Sequence, residues 1–381
     1  MIDPVTAKRL AERMKILYGK SIQLKEDLYG FTPPSNLITE KKYPVVSLGI
    51  LFSELEDIEF YDNPLFWASN EISIEKIIQY RSSLVNAKRD VPVNLPRKND
   101  KLYERIVEAS LSVRAVNLEI KLKKILEAKF IPKISSYYGF VGKLDNIKII
   151  DNPKIPNKVE NVIRDIKAEN AIYYLYKSGF SDYYLSRLFS LGLFGLKTNK
   201  KIVPSKWSIT AVQSIIEKKI LKEHYDKLKK INEYFLFNYK FYGNCFYGIL
   251  MPGNGKVELI EAILPGSAYS VNNQLIIGRD EESGGYFSLK LSFAEYMRDT
   301  KIIGNLIVFR IITEEYKIPL GVWVVREGTK KMFMNKIGSF DNFREALSFL
   351  NSKIQKRHNL SVYKLLRYSK IYRQKSILSF I

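Results

Sequence analysis

The sequence predicts an α+β fold: a helical and mixed amino-terminal half, then a mainly antiparallel sheet with helices in the carboxyl-terminal half. Apolar residues recur every three or four positions in several stretches before residue 220, the mark of a helix with one buried stripe. From about residue 234 the period becomes two, in YFLFNYKFYGNCFYGILMPGNGKVELIEAIL, as on strands with one covered face. Hydrophobic residues make up 46% of the 381, enough for a substantial core and for two or three domains.

Residues 5–18 carry Val5, Leu10, Met14 and Leu17 along one broad side and predict an amphipathic helix. Pro33 and Pro34 then enforce a turn. YPVVSLGILF (43–52) is a short run rich in Val and Ile and predicts a buried strand. YDNPLFW (61–67) is a turn leading to Trp67, and EISIEKIIQYRSSLV (71–85) a helix. A longer helix is expected over 101–128, from Ile106, Ala109, Val113, Val116 and Ile120. The loop-rich region 129–157 sets a boundary near 150, and helical patterns resume at 158–178 and after Ser181. In WSITAVQ, Thr210 with Gln213 fits a capping box. Asn254-Gly255 between apolar runs signals a hairpin. QLIIG (274–278), LIVFRII (306–312) and LGVWVV (320–325) are strand candidates, and SLKLSFAEYM (288–297) a helix. Phe343, Leu347, Leu350 and Ile354 predict a further helix, with Asp341 as its cap. The expected divisions are 1–150, 151–338, a basic helical tail 339–373 and a terminal peptide 374–381.

One cysteine, Cys245, and two histidines, His224 and His358, leave too few ligands for a Cys/His zinc site and exclude an internal disulfide. His224 lies in the lysine-rich run KKILKEHYDKLKK and His358 in QKRHN, and both are expected on solvated faces. No uncharged apolar run of about 18 residues suggests a membrane span, and the first residues lack a signal-peptide core. The protein is expected in the cytoplasm, at the nucleoid. Lys plus Arg number 61 against 40 Asp plus Glu, a net +21. So one-sided an excess draws a protein to polyanions, and DNA is the expected partner.

The tail carries this pattern furthest. No acidic residue follows Glu345. Lys364, Arg367, Lys370 and Arg373 recur every third position, a stripe that on one α-helix would spiral as a phosphate backbone does. Tyr363, Tyr368 and Tyr372 lie among them, placed either to stack on unpaired bases or to cover the body. The chain then ends in QKSILSFI. Gln374, Ile377, Phe380 and Ile381 resemble the motif by which replication and repair proteins dock on the sliding clamp, PCNA. Ile377 and Phe380 share a side one helical turn apart, and the Gln374 amide can hydrogen-bond at a pocket rim. The final place, usually a second aromatic, is Ile381 here, which weakens the dock without abolishing it. Burying three such side chains contributes about 1.5–3 kcal/mol each. Ordering the peptide costs about 2–5 kcal/mol, so a micromolar-scale tether is expected.

Several stretches together resemble the archaeal Nre family of DNA repair proteins. They are YPVVSLG (43–49), the YDNP…W of 61–67, YRSSLV (80–85), VPSKWSITAVQ (203–213), YGNCFYGILMPG (242–253), VELIEAILPG (257–266), GGYFSLKLSFAEY (284–296) and IPLGVWVVRE (318–327). The resemblance covers about 29–95 and 200–330, with the clamp-type end. It implies two family-type regions, participation in DNA damage repair, and partnership with the clamp. Many members begin with a four-cysteine zinc motif. This chain has no cysteine before Cys245, so it is expected to be a zinc-free member, and the role of that motif is not carried over.

Chemistry beyond binding is left open. Arg81, Lys206, Arg310 and Arg326 lie in or beside apolar elements. They either form ion pairs, with Glu314, Glu315 or Glu327 as candidates for Arg326, or line a phosphate or nucleotide pocket with Trp207 near a helix start. Asp57, Asp62 and Glu261 are scattered acidic candidates for a metal. No cofactor is predicted. Three readings follow: a clamp-recruited repair factor that binds DNA or a nucleotide; a nuclease- or glycosylase-type enzyme with a site between the halves; and a non-catalytic scaffold for other repair proteins.

Overall fold

The computed structural model describes residues 27–126, 141–163 and 166–373. The expected helix at 5–18 and the peptide 374–381 therefore lie outside the described residues. The chain forms two compact units that divide between Ile216 and Glu217, whereas the sequence places a boundary near 150.

In the first unit, β1 (Asp27–Thr32), β2 (Asn36–Lys42), β3 (Val45–Phe52), β4 (Val85–Pro92), β5 (Val116–Leu126) and β6 (Val141–Ile149) form a six-stranded sheet in the order β1-β5-β6-β4-β3-β2. Only β4 and β6 run parallel. Between β3 and β4 lie α1 (Pro64–Ser69), capped by Asn63, and α2 (Ile74–Ser82), capped by Ser73. The next helix, α3 (Lys101–Leu111), stops well short of the expected 128. Val116, Leu118, Ile120 and Leu122 are buried at alternate positions with polar residues between, a period-two stretch that becomes β5. Val113, counted in the expected helical stripe, is 46% exposed. After β6 come α4 (Asn157–Val162), α5 (Ala168–Lys177), α6 (Asp182–Ser190) and α7 (Ser205–His224). The unit boundary falls within α7. Thr210 is interior to α7 and donates to the Lys206 carbonyl, so it does not cap the helix.

The second unit is built on β8 (Tyr234–Phe241), β9 (Asn244–Met251), β10 (Val257–Ile263), β11 (Ile276–Asp280), β13 (Asn305–Ile312) and β14 (Lys336–Phe340), in the order β11-β10-β13-β9-β8-β14. All neighbours are antiparallel except β10 and β13. Two short strands, β7 (Lys229–Lys230) and β12 (Ile302–Ile303), pair separately. The helices are α8 (Gly284–Thr300), α9 (Trp323–Met334), α10 (Phe343–His358) and α11 (Val362–Leu366). Asn254-Gly255 is not a hairpin turn, because β13 lies between β9 and β10. The tight turn is at Tyr242-Gly243, joining β8 to β9 with φ of 48° and 69°, the signs a type I′ turn requires. LGVWVV does not form a strand. Its Trp323 opens α9, in which Trp323 to Thr329 are all buried, so no amphipathic pattern marks it as helical. Asn342, not Asp341, caps α10.

The sheet's two faces carry different layers. Tyr247, Ile249, Ile260, Ile307 and Phe309 pack with Leu347, Leu350 and Ile354 of α10, Val362, Leu365 and Leu366 of α11, and Ile371. On the other face α9 approaches so closely that a Cβ on Gly328 would lie 2.4 Å from the Phe246 ring. The basic tail is thus a packed layer of the second unit, not a free appendage, as far as Arg373.

Candidate nucleic-acid interface

Because α10 and α11 bury their apolar sides on the sheet, their basic sides face solvent. Lys353, Lys356, Arg357, Lys364, Arg367, Lys370 and Arg373 are all exposed. Among the described residues, Lys370 approaches the exposed Glu281 at 3.5 Å, while Lys364 and Arg367 have no carboxylate partner. The stripe is not one continuous helix, as the spacing suggested. Helix α11 ends at Leu366, a turn follows at Arg367-Tyr368, and helix restarts at Lys370.

A buried carboxylate explains the restart. Glu258 of β10 is 5% exposed and lies on the sheet face that carries the tail. Ser369 Oγ donates to its Oε2, and the amides of Lys370 and Ile371 donate to its Oε1 at 2.8 and 3.1 Å. Arg279 stands 3.3 Å from the same oxygen. The carboxylate therefore satisfies open N–H groups of the last described helical turn.

Beside this layer, α10, β8 and β9 border a cleft of about 610 Å³ lined by Asn238, Tyr247, Ser352, Lys353, Lys356 and Arg357, with no carboxylate in its lining. A smaller cavity of about 100 Å³ shares Asn238, Tyr247 and Arg357 and adds Lys240 and Cys245. Contrary to the solvated position expected for it, His358 is half-buried, its Nε2 2.9 Å from the Tyr247 hydroxyl. Burial, with the positive charges of Arg357 and Lys240, holds its pKa down at about 4. Burial pushes the Tyr247 phenol up to about 12 and raises the Cys245 thiol. At neutral pH these three are uncharged, and the cleft's charge comes from its lysines and arginine.

The tail tyrosines divide. Tyr363 and Tyr368 are 49% and 40% exposed, whereas Tyr372 covers the body, its ring 6.0 Å from Phe343. The residues expected around a phosphate or nucleotide pocket also divide. Arg81, Lys206 and Trp207 belong to the first unit, Arg310 and Arg326 to the second. Arg81 is buried 3.6 Å from Asp62, its guanidinium 4.8 Å over the Trp67 ring. Arg310 bonds Glu261 at 2.6 Å and Asn244 at 2.8 Å. Burial opposes its charge, but Glu261, Tyr269 and Tyr316 together more than offset this and the pKa is raised. Arg326 makes a two-pronged pair with Glu295 at 2.6 Å and a bond to Ser292, so none of Glu314, Glu315 and Glu327 is its principal partner. Sequence reasoning misses Glu295 because LGVWVV reads as a strand, while Arg326 actually faces α8 from a helix. Lys206 and Trp207 are exposed, with Trp207 against Tyr43. Among the described residues no group of three His, Cys, Asp or Glu could hold a metal, and no helix is long and apolar enough to cross a membrane.

A family model described as "Archaeal Nre, N-terminal" matches residues 7–270, and one described as "Archaeal Nre, C-terminal" matches 277–380. Among curated proteins, a "DNA repair protein NreA" of Archaeoglobus fulgidus is 34% identical over 360 residues, spanning 91% of this chain and 90% of its own. A "DNA repair protein NreB" of the same organism is 29% identical, spanning 90% and 88%. A "DNA repair protein NreA" of Haloferax volcanii is 27% identical, spanning 84% and 82%. No solved structure matches the chain.

Proposed function

The chain belongs to the archaeal Nre family of DNA repair proteins, and on that premise we propose that it is a repair factor that holds DNA on the basic face of its second unit and is recruited to the sliding clamp by residues 374–381. The observation that carries the first part is the exposed run of Lys353, Lys356, Arg357, Lys364, Arg367 and Arg373, in a stretch with no acidic residue after Glu345. Like charges gathered this densely repel one another, and a phosphate backbone relieves that repulsion while releasing its own counterions. The second part rests on Gln374, Ile377, Phe380 and Ile381 together with the Glu258 anchor, which supports a peptide leaving the body beside the DNA-holding face. The clamp and the DNA it encircles would then be reached together, and two weak contacts on one chain reinforce each other.

A salt titration of labelled duplex DNA tests the DNA-binding face. The full chain should lose affinity steeply with salt. A variant with Lys364, Arg367, Lys370 and Arg373 all changed to Ala should have a shallower slope, by about 0.9 for each phosphate no longer neutralised. Equal slopes for the two proteins would remove this face from the interface.

A further inference from the structure

The first unit holds a feature that the basic face does not account for. Tyr43 and Trp207 are 56% and 43% exposed, their ring centroids 5.9 Å apart and their planes tilted by 44°. The other two tryptophans, Trp67 and Trp323, are 0% and 4% exposed. A large ring left in water forgoes its burial energy, yet the backbone under this pair is firmly held. The Ile38 amide donates to Ser205 Oγ at 2.9 Å, fastening the start of α7 to β2, and the Trp207 and Ser208 amides both donate to the Pro204 carbonyl. Ser208 Oγ bonds the Ser186 carbonyl. Tyr43 sits in the turn between β2 and β3, where the Pro44 carbonyl accepts from the Val93 amide at 3.0 Å. Both rings are therefore presented on a rigid support. Each has an exposed lysine next to it in the chain, Lys42 beside Tyr43 and Lys206 beside Trp207.

We propose that Tyr43 and Trp207 form a stacking platform for an unpaired base of single-stranded DNA, with Lys42 and Lys206 on the flanking phosphates. The centroids are too close for a base to slip between the rings, so it lies on an outer face. Paired bases in a duplex already have both faces covered, so the platform selects unpaired strand, whereas the second unit's cations answer to phosphate alone. The inference rests on the DNA-binding reading above and gives it a substrate class.

The buried settings of Trp67 and Trp323 make intrinsic fluorescence a reporter of Trp207. The full chain is titrated with an oligothymidylate, with the same strand annealed to oligodeoxyadenylate, and with polyphosphate, which has charge but no bases. The platform predicts quenching by the oligothymidylate and little by the other two. It also predicts that Trp207→Ala and Tyr43→Ala each weaken single-strand binding about 5- to 150-fold. Trp207→Phe should lose the signal but keep most of the affinity, because Phe still offers a π-face. Both side chains are exposed, so the fold tolerates these changes. Oligothymidylate binding without quenching, and undiminished in Trp207→Ala, overturns the platform and leaves the basic face standing. Quenching that survives with full affinity in the four-alanine tail variant sustains the platform and removes the basic face from single-strand binding. If the oligothymidylate does not bind, the platform falls; if the annealed duplex does not bind either, the basic face falls with it.

Discussion

At the scale of single residues, charges here are settled by their nearest neighbours. Arg81, Arg310 and Arg326 each have a carboxylate partner within their own unit, while the cations of α10 and the tail remain at the surface. Arginines set in apolar sequence are therefore a guide to buried pairs, and the lysines of an exposed helix side are not. Nothing in the sequence marks Lys356, Arg357 and Tyr247 as neighbours, since only the fold brings β8, β9 and α10 together around one cleft. His358 supplies a test of that cleft's charge. Its folded pKa of about 4 lies below the ordinary value of 6.5. The unfolded chain thus takes up the proton first, and the stability held above pH 6.5 is lost as pH falls toward 4. Allowing for solvent screening, the loss is about 2 kcal/mol. Melting curves across this range should fall more steeply for the native chain than for His358→Gln, which keeps a polar group near Tyr247 and does not titrate. Parallel curves would show that His358 is not held neutral.

At the scale of elements, the sequence is legible in α10, where the heptad from Phe343 is buried and the opposite side is wet, and in β13, where LIVFRII is buried on both faces but is short and rich in β-branched residues; SLKLSFAEYM lies inside α8. It misleads where one set of apolar residues satisfies two periods, as at 113–120, and where an element is buried all round, as in α9. The Asn254-Gly255 signal fails for a topological reason. A local turn cannot reveal that a strand from some fifty residues later will enter between its neighbours. The same topology makes Glu258 invisible as a cap, since its partners lie more than a hundred residues on. Changing Glu258→Ala leaves two amides and the Ser369 hydroxyl without their acceptor, and Arg279 with Glu281 alone, and should destabilise the second unit by about 3 kcal/mol. Chemical denaturation measures this directly, and hydrogen exchange should show the amides of Lys370 and Ile371 losing protection first. Unchanged protection there would mean that Glu258 does not hold the tail.

At the scale of the whole molecule, the two family regions and the two folded units do not coincide. The junction between the matched regions falls between β10 and β11, within a single sheet, so the second sheet is assembled from both. The order and spacing of short segments are enough to place the chain in its family, because they are set by the fold as a whole and survive divergence in any one element. The proposed clamp-docking motif is four residues in a fixed spacing within 374–381, outside the described residues. What the fold adds is the setting of the residue before it: Arg373 sits on an anchored layer that carries exposed cations. Titration calorimetry of the cognate clamp with the full chain, and with a form ending at Lys375, tests the recruitment claim most directly. The account predicts micromolar binding by the full chain and none measurable by the shortened form; equal affinity for both would contradict it.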